Sequence, residues 1–289
     1  MTAAFGSWPA ARSAWLPDGR LHLQDGPIDL VIEAMGEPAA RERAFAAAAL
    51  AFEGVLADLC RHLATLRRPL DGAWPVDASP TACRMRAAVA RFPEGFVTPM
   101  AAVAGSVADT VLEAMVRTGG LHAAYVNNRG DIAVHVTAAR GLEIGIVTAL
   151  REAGLGARLA VREGDGIGGI ATSGWDGRSF SLGVADAVTV LARDAATADA
   201  AATLVAGAVD VDHPAVERAE AAQLDPDSDL GERLVTTAVG PLPRAAVAEA
   251  LAAGEALARR WVDEARIIAA FLALQGEARS VGDRGRIAR

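Results

Sequence analysis

Residues Gly164 to Thr203 hold the densest run of side chains and glycines that could do chemistry. The run reads Gly-Asp-Gly-Ile-Gly-Gly-Ile-Ala-Thr-Ser-Gly from Gly164 to Gly174, then an apolar stretch from Asp186 to Ala192, then an alanine-rich segment carrying Asp199 and Thr203. Glycines let a ligand come close to backbone amides, and Thr172 and Ser173 add hydroxyls beside them. Residues four apart share one helix face, so a helix over the alanine-rich segment sets the Asp199 carboxylate beside the Thr203 hydroxyl. Hard oxygen ligands of this kind suit Mg2+, which completes its shell with waters and substrate phosphates. The stretch therefore points to a phosphate-bearing ligand held in part through a cation. The same pair also fits a plain polar helix face on which Thr203 bonds back to the carbonyl four residues earlier. Against that, Ala198, Ala200, Ala201 and Ala202 leave almost no other polar group there.

Composition narrows the partners. The chain has 289 residues, enough for a full core. Hydrophobic residues make up 52% and aromatics only 4%, a balance that favours closely packed helices. A formal net charge of −8 argues against a nucleic-acid partner and makes a bridging cation nearly obligatory for an anionic ligand. Cys60 and Cys83 belong to no pairing motif and read as buried thiols in a reducing compartment. Met1 to Trp15 lacks a basic segment followed by an apolar run, and no stretch of about 18 strongly apolar residues occurs. The expectation is a cytoplasmic protein without a membrane span.

The elements that must position these groups can be read in order. Residues 1–18 read as an irregular arm, and 19–289 as a single domain. Arg20 to Gln24 and Ile28 to Ala34 form a hairpin around Asp25-Gly26-Pro27. A long helix is expected over Glu37 to Leu66, a short one over Ala82 to Arg91, and a third over Ala101 to Thr118. The first turns of the third are so short in side chain that another helix, or else a ligand, must approach its backbone. Leu121 to Val126 and Ile132 to Val136 read as strands joined by Asn127-Asn128-Arg129-Gly130-Asp131, a turn of residues that tolerate the left-handed region. Leu142 to Leu150 is ambiguous, Arg158 to Arg162 reads as a strand, and Leu234 to Val239 as another. Helices are expected over Pro214 to Ala222 and Pro243 to Gln275, followed by a charged, frayed last dozen residues. Hairpin-style strand pairs, rather than strand–helix alternation, predict an α+β fold of antiparallel sheet flanked by helices. Gly164, Gly166 and Gly169 match a dinucleotide-fold spacing, but the turn-like Ala171 to Gly177 stands where a helix should open.

Four segments, in order, resemble the ApbE superfamily, whose best-known members are FAD:protein FMN transferases. Val126-Asn127-Asn128-Arg129-Gly130-Asp131-Ile132 is similar to its N-x-G-G-D-I turn, and Ile170-Ala171-Thr172-Ser173-Gly174 to its A-T-S-G segment. Ala198 to Thr203 is similar to its A-D-A-x-A-T metal helix. Pro99-Met100-Ala101-Ala102-Val103-Ala104-Gly105 resembles the signature of a shorter branch of the superfamily. The resemblance implies an ApbE-type fold and two cofactors, FAD and Mg2+. It implies that Asp199, Thr203 and the backbone carbonyl near Ala102 hold the metal. It further implies that Asn127, Asn128, Arg129, Gly130 and Asp131 line a flavin site with Thr172, Ser173, Gly174 and Gly105. In the transferases an acceptor protein's Ser or Thr hydroxyl attacks the FMN-side phosphorus of FAD and AMP leaves.

The chain departs from that pattern in three places. Arg129 replaces the first glycine of the turn, and either its guanidinium reaches a nucleotide diphosphate or it points to solvent. Gly105 stands where the transferases carry a lysine, and Gly174 to Asp186 replaces a histidine-containing segment. Asp186 and Asp131 remain as candidate catalytic carboxylates, Asp186 fitting a capping role equally well. Three functions follow: an FMN transferase acting on an acceptor flavoprotein, a non-catalytic flavin-binding or delivery protein, and a scaffold whose small-residue helices serve a homo-oligomer. The retained Asp199–Thr203 pair favours the first, and the lost histidine segment the second.

Overall fold

A computed structural model of the protein describes residues 11–70, 72–137, 141–147, 155–282 and 287–288. Strands β1 (Arg12–Trp15), β2 (Leu21–Asp25) and β3 (Ile28–Gly36) precede helices α1 (Pro38–Phe52), α2 (Val55–Arg61), α3 (Leu63–Leu66) and α4 (Pro80–Val89). A 3-10 turn, Pro99–Ala102, leads into α5 (Val103–Arg117), followed by β4 (Leu121–Asn128), β5 (Asp131–Val136), β6 (Leu142–Val147) and β7 (Leu155–Val161). Next come β8 (Gly169–Ser173), β9 (Ala187–Ala192), α6 (Ala195–Ala208), β10 (Val216–Glu220), α7 (Ala221–Leu224) and β11 (Leu234–Val239). The chain continues with α8 (Arg244–Asp263), β12 (Ala269–Leu274), β13 (Glu277–Val281) and β14 (Ile287–Ala288).

Period-two alternation builds the main sheet. In β3 the buried residues are Ile28, Leu30, Ile32 and Ala34, every second position, so one face meets the helices and the other carries Asp29, Val31, Glu33 and Met35. Nine strands join in the order β1-β2-β3-β4-β5-β8-β9-β12-β13, each pair antiparallel. Helices α1, α5, α6 and α8 share one apolar core with the helix-facing side of this sheet. A second apolar cluster, which includes Val134, Leu142, Leu159, Val161, Ile170 and Leu191, joins β6 and β7 to the other side. This is the α+β architecture expected, antiparallel sheet with helices packed on it.

Several expected elements differ, each for a local reason. The long helix over 37–66 is three pieces: Gly54, in the left-handed region at φ +76°, separates α1 from α2, and His62, at φ −109° and ψ 11°, separates α2 from α3. The helix expected over 243–275 ends at Asp263; Ala265 turns the chain at φ +55°, and Ala269–Leu274 is a strand between β9 and β13. That strand is apolar on both faces, a pattern that periodicity cannot tell from a buried helix. Pro214 to Ala222 is mostly β10, held by pairing with β11 and by the Arg218 guanidinium on the Leu182 carbonyl at 2.6 Å. Arg12–Trp15, expected within an irregular arm, is the edge strand of the main sheet, and the charged terminal stretch supplies β13. Leu142–Val147 resolves as a strand, and the rest of that ambiguous segment lies outside the described residues. Cys60 is half-buried and Cys83 exposed, not both buried.

Candidate functional site

Four of the sequence-predicted groups converge where α5 and α6 meet the β4–β5 turn. The helices come unusually close. A Cβ on Gly105 would lie 2.2 Å from the Ala195 carbonyl oxygen, so only glycine fits there. The small-residue start of α5 thus answers to a helix, the first of the two occupants the sequence allowed. Asp199, one turn into α6, turns its carboxylate onto this backbone: Oδ2 accepts from the Gly105 N–H at 3.0 Å, and the Ala104 N–H also donates to it. From the other side Asn128 donates through Nδ2 to the Ala104 carbonyl at 3.1 Å. The peptides at Ala104 and Gly105 are therefore gripped on both their N–H and C=O sides.

Asp131 opens β5 opposite Asn128 and accepts from the Thr172 N–H of β8. Its carboxyl lies near enough to Asp199 for the two charges to influence each other. Burial pushes Asp131 up to about 7. Asp199 rises well above the usual carboxylate range, first through burial and then through the negative charge of Asp131. Two neighbouring carboxylates, each desolvated, resist ionising together without a compensating charge. Thr203, half-buried, lies one turn beyond Asp199 on α6, and Ala102, fully buried, lies at the junction of the 3-10 turn and α5.

The turn itself is a two-residue hairpin loop. Arg129 at φ +57° and Gly130 at φ +115° both take the positive φ that matches strand twist in such loops. Asn127 closes the turn, its Oδ1 accepting from the Gly130 N–H at 2.7 Å. Arg129, for which the sequence offered a diphosphate or solvent, pairs with a carboxylate of the protein. Its guanidinium bonds Asp29 Oδ2 at 3.1 Å, and Asp29 Oδ1 in turn lies 2.8 Å from His22 Nε2. Asp29 alternates with buried Leu30, so this trio sits on the sheet face turned away from the helices.

On β8 the Thr172 hydroxyl bonds the Thr189 hydroxyl at 2.8 Å, and Ser173 is half-buried. A Cβ on Gly174 would meet the Asp186 carbonyl oxygen at 2.4 Å. The Asp186 carboxylate accepts from Trp175 Nε1 at 3.3 Å and from the Gln275 N–H at 2.5 Å, tying the 174–186 connection to the end of β12. Asp186 is thus bound into the scaffold, whereas Asp131 faces Asp199.

One buried acid escaped sequence reading. Asp109, on α5, accepts from the Ala195 N–H at 3.0 Å and the Ala196 N–H at 2.9 Å, and burial pushes it up to about 7. The signal was available: it is the one charged residue between Val103 and Leu112.

A family model described as AbpE bacteria matches residues 13–280. The UPF0280 protein of Methanothrix thermoacetophila is 41% identical over 140 residues, covering 48% of this chain and 56% of that one. The UPF0280 protein of Methanosarcina acetivorans is 38% identical over 125 residues, 42% and 47% of the respective chains. The match spans about half the length of these relatives. Among solved structures, the apo flavinyl transferase ApbE of Pseudomonas stutzeri is similar with a TM-score of 0.48 at 14% identity, covering 95% of each chain. The ApbE protein of Thermotoga maritima is similar with a TM-score of 0.44 at 12% identity, over 95% of this chain and 97% of that one.

Proposed function

This chain belongs to the family described as AbpE bacteria, and from that premise we propose that it is a Mg2+-dependent protein that binds FAD and transfers FMN to a Ser or Thr hydroxyl of an acceptor flavoprotein. The observation that carries the reading is Asp199 seated on the Ala104–Gly105 amides within reach of the charge of Asp131. A divalent cation is the partner that relieves two half-buried, mutually repelling carboxylates. Asp199 and Asp131 would hold it, with the Thr203 hydroxyl one turn along α6; the Ala102 carbonyl enters through the family resemblance. When bound, the cation neutralises charge on phosphoryl oxygens.

The chain's own groups do the rest. In the reaction the acceptor oxygen bonds to the FMN-side phosphorus while the phosphorus–oxygen bond to AMP breaks. AMP departs with the bridging oxygen. The acceptor's proton passes to a carboxylate, for which Asp131 is the better candidate because Asp186 already accepts from Trp175 and Gln275; in taking it Asp131 leaves the cation to Asp199 and Thr203. Gly174, Ser173 and Thr172, with the turn from Asn127 to Gly130, are the proposed flavin-contacting residues. Positioning supplies much of the rate in such transfers.

One feature favours a second reading, flavin binding or delivery without turnover. The 174–186 connection contains no histidine, and Asp186 at its end serves the scaffold. Mass spectrometry of small molecules co-purified in Mg2+ and in EDTA separates the readings. FAD retained in Mg2+ and lost in EDTA is expected, with AMP released when an acceptor flavoprotein is added. FAD retained without AMP release selects the delivery protein, and absence of flavin under both conditions overturns both.

A further inference from the structure

Gly105 and Asp109 lie four apart on α5, and Ala195 and Asp199 lie four apart on α6, so each pair shares one helix face. The two pairs are cross-linked reciprocally. Asp109 of α5 takes the first two N–H groups of α6, at Ala195 and Ala196. Asp199 of α6 takes the N–H of Gly105 in the first turn of α5. Between the two bonds the backbones touch, with the missing Cβ of Gly105 leaving room for the Ala195 carbonyl.

Asp109 does more than an ordinary cap would. Helix α6 already has its own N-cap, Asp194, whose Oδ1 accepts from the Thr197 N–H at 2.7 Å. Asp109 reaches in from another helix, is 8% exposed, and engages both oxygens. A carboxylate at a helix N-terminus is favoured by the macrodipole, but two bonds from a neighbouring helix also fix register and rotation. A slip of α6 along α5 would break both Asp109 bonds and draw Asp199 away from Gly105 together. We infer that Asp109 is a positioning residue for Asp199, holding α6 in the one register that sets the Asp199 carboxylate on the Ala104–Gly105 amides and against Asp131. The inference rests on the proposed cation site for its functional meaning, but its geometry can be read without any cation.

Hydrogen exchange reads it directly. Gly105 lies in the first turn of α5, outside the intrahelical ladder, so protection of its amide reports the Asp199 bond itself. Two variants are compared with the parent in EDTA by NMR. Asp109→Asn replaces one acceptor oxygen by an N–H donor facing an N–H. Asp194→Ala removes the ordinary cap of the same helix and serves as the control for simple loss of stability. The expected result is Gly105 exchange at least about tenfold faster in Asp109→Asn than in Asp194→Ala, with the middle of α5 protected in both. Asp109→Glu, which keeps the charge but lengthens the arm, covers a failure of the asparagine variant to fold and should also speed Gly105 exchange. Unchanged Gly105 protection in the folded Asp109 variant, or equal loss in Asp194→Ala, overturns the inference. Mn2+ titration then separates the two ideas. Asp109→Asn should bind Mn2+ about 10–100-fold more weakly than the parent, the usual effect of losing a group that orients a ligand. If the parent binds no Mn2+ while Gly105 still loses protection, the cation reading fails and the positioning stands.

Discussion

Replacing Asp131 by asparagine tests the facing carboxylates without any ligand. In the fold Asp131 is raised from 3.8 to about 7, chiefly by burial. At about 1.4 kcal/mol per unit, that rise means roughly 4 kcal/mol of stability withheld once the pH exceeds both values. The unfolded chain ionises near the ordinary value and the folded chain keeps its proton until about 7, so stability falls as pH climbs between them. Asparagine keeps an oxygen for the Thr172 N–H and carries no charge toward Asp199. Part of the gain is offset by burying an amide, so without cation the variant should be more stable by about 1–3 kcal/mol at pH 8. At pH 5 the advantage should shrink by about 2 kcal/mol or vanish. Urea unfolding in EDTA at the two pH values measures both. Added Mg2+ should stabilise the parent at pH 8 and leave the variant almost unmoved. A variant less stable than the parent at pH 8, or an advantage that does not change with pH, would refute the reasoning.

Three further outcomes are expected. Gly105→Ala places a Cβ 2.2 Å from the Ala195 carbonyl and should cost about 1–3 kcal/mol in urea unfolding, because neither backbone can give way. Arg129→Gly relieves a left-handed non-glycine residue, worth about 1–2 kcal/mol, and gives up a half-exposed ion pair to Asp29 worth about 0–1 kcal/mol, so unfolding should be neutral to slightly more difficult. Asp186→Ala leaves the Trp175 indole N–H and the Gln275 N–H without their acceptor and should lower stability by about 1–3 kcal/mol; a calorimetric FAD affinity unchanged alongside that loss would assign it to the scaffold.

The sheet and its hairpins were legible because alternation is a local signal. Leu30 and Ile32 face the helices and Asp29 and Val31 do not, as their order along the chain implies. The helix ends were less so: Ala269–Leu274 carries an unbroken apolar run that reads equally as the end of α8, and only pairing with β9 and β13 decides. In the site, the placing of Asp199 on a helix among alanines follows from spacing, but its partners do not. Gly105 lies 94 positions away and Asp131 joins it through a turn, so the contact exists only in three dimensions. The pairing of the Arg129 guanidinium with Asp29, a residue 100 positions distant, is one that no local pattern announces. Asp109 carries no motif: an acid among the small residues that open α5 is announced only by its charge, and its partners lie 86 and 87 positions away.

The central claim is that Asp131 and Asp199 hold a cation through which a flavin nucleotide binds. Calorimetric titration of FAD into the parent and into Asp199→Ala and Thr203→Val, each in Mg2+ and in EDTA, tests it most directly. Binding by the parent in Mg2+, its loss in EDTA and weakened binding in both variants are expected, with unfolding nearly unchanged in Thr203→Val and altered in Asp199→Ala, which removes the acceptor of the Gly105 and Ala104 N–H groups. FAD bound equally by all three proteins, with or without EDTA, would contradict it.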